Sequence, residues 1–198
     1  MLIFLKENLV FFATPKTAST SVEIVLGDLC DIKLSRNPQA KHTPYRKYKR
    51  LLEPYVLTLT KDKPECLSVY REPVDWLGSW YRYRRRPELV GKANSTHDIS
   101  FDQFVEAYLQ ESQPAFANVG SQARFVSDKD GTLGMTRLFR YDQLDGLVGF
   151  LEKRLKKQIK LPRTNVSPKE PLSLSPGLLK ELQCAHARDF EIYDSIET

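Results

Sequence analysis

Four hydroxyl side chains and one lysine fall within six positions in Pro15-Lys16-Thr17-Ala18-Ser19-Thr20-Ser21. A turn of this composition offers an ammonium group, hydroxyl donors and free backbone amides, the set that holds a phosphate or sulfate. A second cationic centre lies in Arg71-Glu72-Pro73, with Ser79 eight positions after the arginine. A guanidinium there can fork onto a phosphate and a serine hydroxyl can add one donor. His42, in Lys41-His42-Thr43-Pro44, is the best candidate for a general base. Transfer of an activated group to a hydroxyl requires a side chain that accepts the hydroxyl proton, and an imidazole titrating near neutrality does so. A surface histidine in a basic helix start is the other reading of His42, and His97 and His186 are weaker candidates.

The elements that must position these groups follow from the flanking residues. Leu9 to Ala13 is a short apolar run rich in β-branched and aromatic side chains, which predicts a strand covered on both faces. Pro15 ends its ladder, and Ser19, Thr20 or Ser21 is expected to cap a helix from about Val22, with Val22, Val25, Leu26 and Leu29 as its apolar stripe. Glu65 to Tyr70 predicts a second core strand, Pro73 suits the first position of a helix, and Val74, Leu77, Trp80 and Tyr81 share one face. Arg71 is thereby placed at the carboxyl end of a strand, where open α/β sheets bind ligands. A Ser/Thr-rich connection and a capping arginine are the plainer readings of the two segments.

The remaining chain suits the same architecture. Leu2 to Leu5 either pairs with Leu9 to Thr14 as a hairpin or leads in irregularly, and Pro44 opens a short helix through Leu52. Val56 to Leu59 alternates as a strand, Ser100 caps a helix over Phe101 to Glu111, Thr136 to Tyr141 reads as a strand, and Asp142 caps a helix to about Lys157. Gln122-Ala123-Arg124-Phe125 either faces an acceptor or packs. A last helix is expected from Pro176 to about Ile196. The expectation is one α/β domain over 1–198, its mostly parallel central sheet flanked by helices.

With 198 residues, 41% of them hydrophobic, the chain can bury a sizeable core. The early apolar runs are too short, and too interrupted by Lys6 and Glu7, for a signal sequence or membrane span, so a cytoplasmic protein is expected. Cys30, Cys66 and Cys184 have no metal-ligand spacing and are expected as reduced, mostly buried thiols. A net charge of +5 favours anionic ligands, and basic residues cluster in Lys41 to Arg50, Arg82 to Arg86 and Lys153 to Arg163. Solvated helix faces account equally well for any one of these runs.

The ordinary nucleotide-binding P-loop places its lysine after a glycine-rich loop, whereas here Lys16 precedes the hydroxyl run and no glycine is present. That order resembles the 5′-phosphosulfate loop of the sulfotransferases, Pro-Lys-Thr-Gly-Thr-Thr, and looks most like the carbohydrate branch typified by heparan sulfate 2-O-sulfotransferase. Ala18 stands where the commoner pattern has glycine. Arg71-Glu72-Pro73 with Ser79 resembles the family's 3′-phosphate motif, Arg-Asp-Pro with a serine eight positions on. The two motifs match closely, 55 positions apart from Lys16 to Arg71, and the rest of the chain loosely.

The resemblance implies a P-loop-like nucleotide-binding fold and a sulfuryl transfer from 3′-phosphoadenosine 5′-phosphosulfate to an acceptor hydroxyl, on a carbohydrate, without a metal. It implies that Lys16 acts in catalysis and that Lys16, Thr17, Ala18, Ser19, Thr20 and Ser21 hold the 5′-phosphate. His42 would then be the base, and Arg71 and Ser79 would bind the 3′-phosphate. Asn165 and Ser167 would belong to a loop that closes over the nucleotide. Two rivals are a nucleotide-dependent kinase, which lacks support in a glycine-rich loop, and a non-catalytic polyanion binder, which would use the basic runs and Tyr45, Tyr48, Tyr81 and Tyr83. No nucleic-acid partner is expected under the sulfotransferase reading.

Overall fold

Every side chain of Leu9–Phe12 is buried, as are those of Cys66 to Tyr70, so the two runs read as core strands lie at the centre of a sheet. The computed structural model describes residues 1–162 and 172–197. In chain order the elements are β1 (Leu2–Phe4), β2 (Leu9–Phe12), α1 (Ser19–Leu26), β3 (Ile32–Lys33), α2 (Pro38–Lys41), α3 (Tyr45–Leu51), α4 (Glu53–Leu59), β4 (Glu65–Tyr70), α5 (Pro73–Arg84), α6 (Phe101–Leu109), α7 (Gln122–Val126), β5 (Arg137–Arg140), α8 (Leu144–Leu155), α9 (Pro176–Ala185) and α10 (Ala187–Asp194). Single turns of 3₁₀ helix precede α8 and follow α5.

The sheet order is β3-β1-β2-β4-β5. β2 pairs parallel with β4, and β4 with β5, whereas β1 pairs antiparallel with both β2 and β3. The sheet is therefore mixed, and the expectation of a mostly parallel one is corrected. The reason is local. Asn8 sits at φ 53° and its amide donates to Leu5 O at 3.2 Å, closing a tight reversal that obliges β1 to run against β2.

The described residues group into two compact units, one of 1–71, 122–162 and 195–197, the other of 72–121 and 172–194. In the first, Leu2, Phe4, Leu9, Phe11, Leu67 and Val69 pack with Val22 and Leu26 of α1 and with Leu147 and Leu151 of α8. Phe12 also meets Tyr48 of α3 edge-on at 5.2 Å. Burial of each such side chain contributes about 1.5–3 kcal/mol. In the second unit Trp76, Leu77 and Tyr81 of α5 pack with Phe101, Phe104, Val105 and Tyr108 of α6 and with Leu178 and Leu182 of α9. Ser100 and Gln103 form a reciprocal capping box at the start of α6, as the sequence signals.

Three further expectations change. Val56 to Leu59 belongs to helix α4, because the apolar residue at Val56 faces inward while Leu57 and Leu59 are exposed, a pattern short alternation mimics. The last helix is broken at His186, whose φ of −119° and ψ of 32° leave the helical region. Of the three free thiols only Cys66 is buried, and burial pushes its pKa up to about 12.

Candidate functional site

Because β2, β4 and β5 run parallel, their carboxyl ends emerge together, and three cation-bearing or aromatic groups follow them directly. The turn holding Lys16 follows β2, Arg71 follows β4 and Tyr141 follows β5. Thr14 Oγ1 and Ser68 Oγ lie 2.7 Å apart and Ser68 Oγ donates to Phe12 O at 2.9 Å, so hydroxyls tie the ends of β2 and β4 together in a dry environment.

The turn itself is unusual in its backbone. Lys16 has φ 66° and Ala18 has φ 58°, both left-handed, and Ala18 is the N-cap of α1 with no side-chain cap. None of Ser19, Thr20 and Ser21 serves as the N-cap, since all three lie within the first turn of α1. Amides of Ser21 and Val22 instead turn back to Ala18 O, at 2.9 and 3.2 Å. Left-handed geometry costs an alanine about 1–2 kcal/mol and a glycine far less. Ala18→Gly is therefore expected to raise stability by up to about 1 kcal/mol, equivalent to a Tm about 2–4 °C higher in a thermal melt. A lower Tm would show that Cβ packing outweighs the backbone term.

The hydroxyls divide into structural and available ones. Thr17 is fully buried and its Oγ1 donates to Thr14 O at 2.8 Å, so its proton is committed to the turn. Thr20 Oγ1 accepts from Lys41 Nζ at 3.1 Å, which leaves the Thr20 proton to donate. Ser19 and Ser21 are buried at the start of α1.

Arg71 is held at three places. Its amide donates to Gln122 Oε1 at 3.0 Å and its carbonyl accepts from Gln122 Nε2 at 2.8 Å, so one buried amide side chain closes on both backbone groups. Its Nη1 donates to Lys16 O at 3.0 Å, and its guanidinium lies 4.1 Å from the Tyr141 ring centroid. The strand-end arginine and the lysine turn are thus joined directly. Ser79 is a buried residue of α5 in the second unit, whereas Arg71 belongs to the first. Asn165 and Ser167 lie outside the described residues.

His42 is stitched to the stem of the same turn. Its Nδ1 lies 2.6 Å from Ala13 O. A carbonyl oxygen only accepts, so Nδ1 carries the hydrogen and the neutral ring keeps its lone pair on Nε2. Lys41, one residue earlier, bonds Thr20 and pairs with Glu23 at 2.8 Å, fixing the segment to α1 from the other side. Burial lowers the His42 pKa below its ordinary 6.5. The Ala13 carbonyl raises it, and the Lys41 charge lowers it. The ring is accordingly neutral at pH 7.

The structure brings Lys16, Thr20, His42 and Arg71 around one turn. Gln122 and Tyr141 complete the setting of Arg71 and are not marked as site residues in the sequence. Tyr141 had a signal, its place after a strand beside that of Arg71. Gln122 belongs to the stretch that the sequence reads as either facing an acceptor or packing, and its partners are backbone atoms of Arg71 that only the fold brings near. No protein-family model, curated protein or solved structure matches the chain. Among the described residues no helix is long and apolar enough to cross a membrane.

Proposed function

We propose that this chain is a sulfotransferase that uses 3′-phosphoadenosine 5′-phosphosulfate and an acceptor hydroxyl, with a carbohydrate as the acceptor class. The observation that carries the reading is the direct joining of the Lys16 turn to Arg71 at the carboxyl ends of adjacent parallel strands, beside a histidine whose Nε2 is the proton acceptor. The donor set suits a doubly phosphorylated, sulfated nucleotide: two cations that follow separate strands, and a Thr20 hydroxyl that accepts from Lys41 and keeps its own proton to donate. The nucleotide, when bound, supplies a sulfuryl group that is already activated.

The residues divide the work. Lys16 supplies the cation that offsets charge on the departing phosphate, and the start of α1 adds its backbone dipole. Arg71 supplies a planar fork for a phosphate, held in one rotamer by the Tyr141 ring and Lys16 O. His42 Nε2 takes the hydroxyl proton while Nδ1 stays tied to Ala13, so the ring cannot turn as it changes charge. The kinase alternative draws no support from these residues, since the turn lacks the glycine-rich loop ending in lysine.

Calorimetric titration with adenosine 3′,5′-bisphosphate, beside adenosine 5′-phosphate and ATP, tests the reading. Preference for the bisphosphate is expected, and equal binding of the three would overturn it.

The pH profile tests the base. With the His42 pKa below 6.5, kcat/KM is expected to climb only in the acid range, with its midpoint under 6.5, and to be flat through neutrality. His42→Gln should erase that limb. The same shift has a stability consequence. The fold favours the neutral ring, so its contribution is complete above 6.5 and is lost as pH falls through 6.5 toward the lowered folded value. An acid limb unchanged in His42→Gln would remove His42 from the mechanism.

A further inference from the structure

Helices α3 and α4 carry an outward surface that the transferase reading does not use. Leu51, Tyr55, Leu57 and Leu59 are 52%, 59%, 45% and 46% exposed, four of the seven large apolar side chains that stand exposed among the described residues. They fall within nine positions. Leu51, Tyr55 and Leu59 recur every fourth residue, and Leu52 between the two helices keeps a right-handed helical conformation at φ −112° and ψ −38°, so the three run as one stripe. The inward side of the same pair, Tyr45, Tyr48, Glu53 and Val56, is buried in the first unit. The stripe is therefore surplus to the core.

Cations border it. Arg46, Lys47, Arg50 and Lys61 are exposed and have no ion-pair partner among the described residues. Lys49 is paired with Asp128 and Lys63 lies 3.5 Å from Glu53. Asp62 is the exposed acidic exception. Exposed aliphatic and tyrosyl side chains flanked by unpaired Lys and Arg have the composition of a helix that lies in the plane of a lipid interface. Tyrosine sits at the headgroup level, leucines enter the acyl boundary, and long basic side chains reach the phosphates.

We propose that the α3–α4 surface docks this protein on an anionic lipid bilayer, with Leu51, Tyr55 and Leu59 as the inserted residues and Arg46, Lys47, Arg50 and Lys61 as the headgroup contacts. Charge selects this occupant over the alternatives. A second copy of the chain meeting the same face would bring together two surfaces that each carry four unpaired cations, with Asp62 the one exposed carboxylate beside them to offset the repulsion. A nucleic acid would use the cations but leave the aliphatic stripe in water. The inference is independent of the chemistry assigned to the Lys16 turn.

Co-sedimentation with phosphatidylcholine vesicles, with and without phosphatidylserine, tests it on the full chain. Binding is expected only with phosphatidylserine. Each basic residue near such a surface strengthens partitioning about fivefold, so Arg46→Gln/Arg50→Gln should bind about 25-fold more weakly. Leu51→Ser/Tyr55→Ser/Leu59→Ser should reduce sedimentation to background while its circular dichroism stays native, because all three side chains are exposed. Absence of binding to phosphatidylserine vesicles would overturn the proposal. So would undiminished binding of the triple serine variant, which would mark the face as a charge-only polyanion site. A sedimentation coefficient that falls from dimer to monomer in the triple variant, without vesicles, would assign the stripe to a second copy and overturn it equally.

Discussion

Lys16→Ala is expected to lower kcat for sulfuryl transfer by about 10²–10³-fold, the usual cost of removing one preorganised charge-stabilising group. The fold should survive, because what Lys16 gives Arg71 is its carbonyl, which alanine retains. Alanine also occupies φ 66° at no greater strain than lysine, since both carry a Cβ. Affinity for adenosine 3′,5′-bisphosphate should fall far less than kcat, as Arg71 and the start of α1 still meet the phosphates. Steady-state assay of bisphosphate release with a panel of sugar acceptors reads the two effects separately. A kcat within a few-fold of wild type would remove Lys16 from the chemistry and return the turn to a helix-capping role.

Arg71→Ala is the second large effect. Hydrogen bonds to a charged group contribute about 1.5–3 kcal/mol, so loss of the fork should weaken the bisphosphate about 10–150-fold. The pattern across ligands matters more than the size. If Arg71 meets the 3′-phosphate, adenosine 5′-phosphate should bind Arg71→Ala almost as well as wild type, and the preference for the bisphosphate should vanish. If the two nucleotides weaken equally, Arg71 serves as a brace for the Lys16 turn through its bond to Lys16 O. Arg71→Lys should fall between the two, keeping charge while losing both the fork and the planar contact with Tyr141. Calorimetry on the three proteins decides among these outcomes.

Much of the first unit is legible in the residues because local and long-range demands agree there. The apolar run at Leu9–Phe12, the proline after it, and the run at Glu65–Tyr70 followed by Pro73 each allow one conformation, and each adopts it. The hairpin of β1 and β2 is likewise the one of the two readings that Asn8 permits. Val56 to Leu59 alternates over too few residues to separate strand from helix, and the partner that buried Val56 was not visible. The sheet is mixed where a mostly parallel one is expected, because the reversal at Asn8 turns β1 against β2. Two strand-to-helix junctions imply parallel pairs, but β3 is only two residues long and leaves no mark of its own.

Within the candidate site, the residue types were set by the sequence and their relations by the fold. Lysine before a hydroxyl run, arginine after a core strand and an isolated histidine suggest the proposed chemistry on type and order alone, since charge, donor capacity and titration belong to side chains. What only tertiary structure decided is which atoms are still available for that chemistry. It committed the Thr17 proton to Thr14 and left that of Thr20 free. Through Ala13 it also made Nε2 the basic nitrogen of His42. Gln122 and Tyr141 were recruited to hold Arg71 from 51 and 70 positions away. The Thr17, His42 and Gln122 bonds end on backbone carbonyls and amides, groups that every residue but proline carries alike, and the Thr20 and Tyr141 contacts join side chains far apart in sequence, so all of them rest on positions in space that no side-chain pattern encodes.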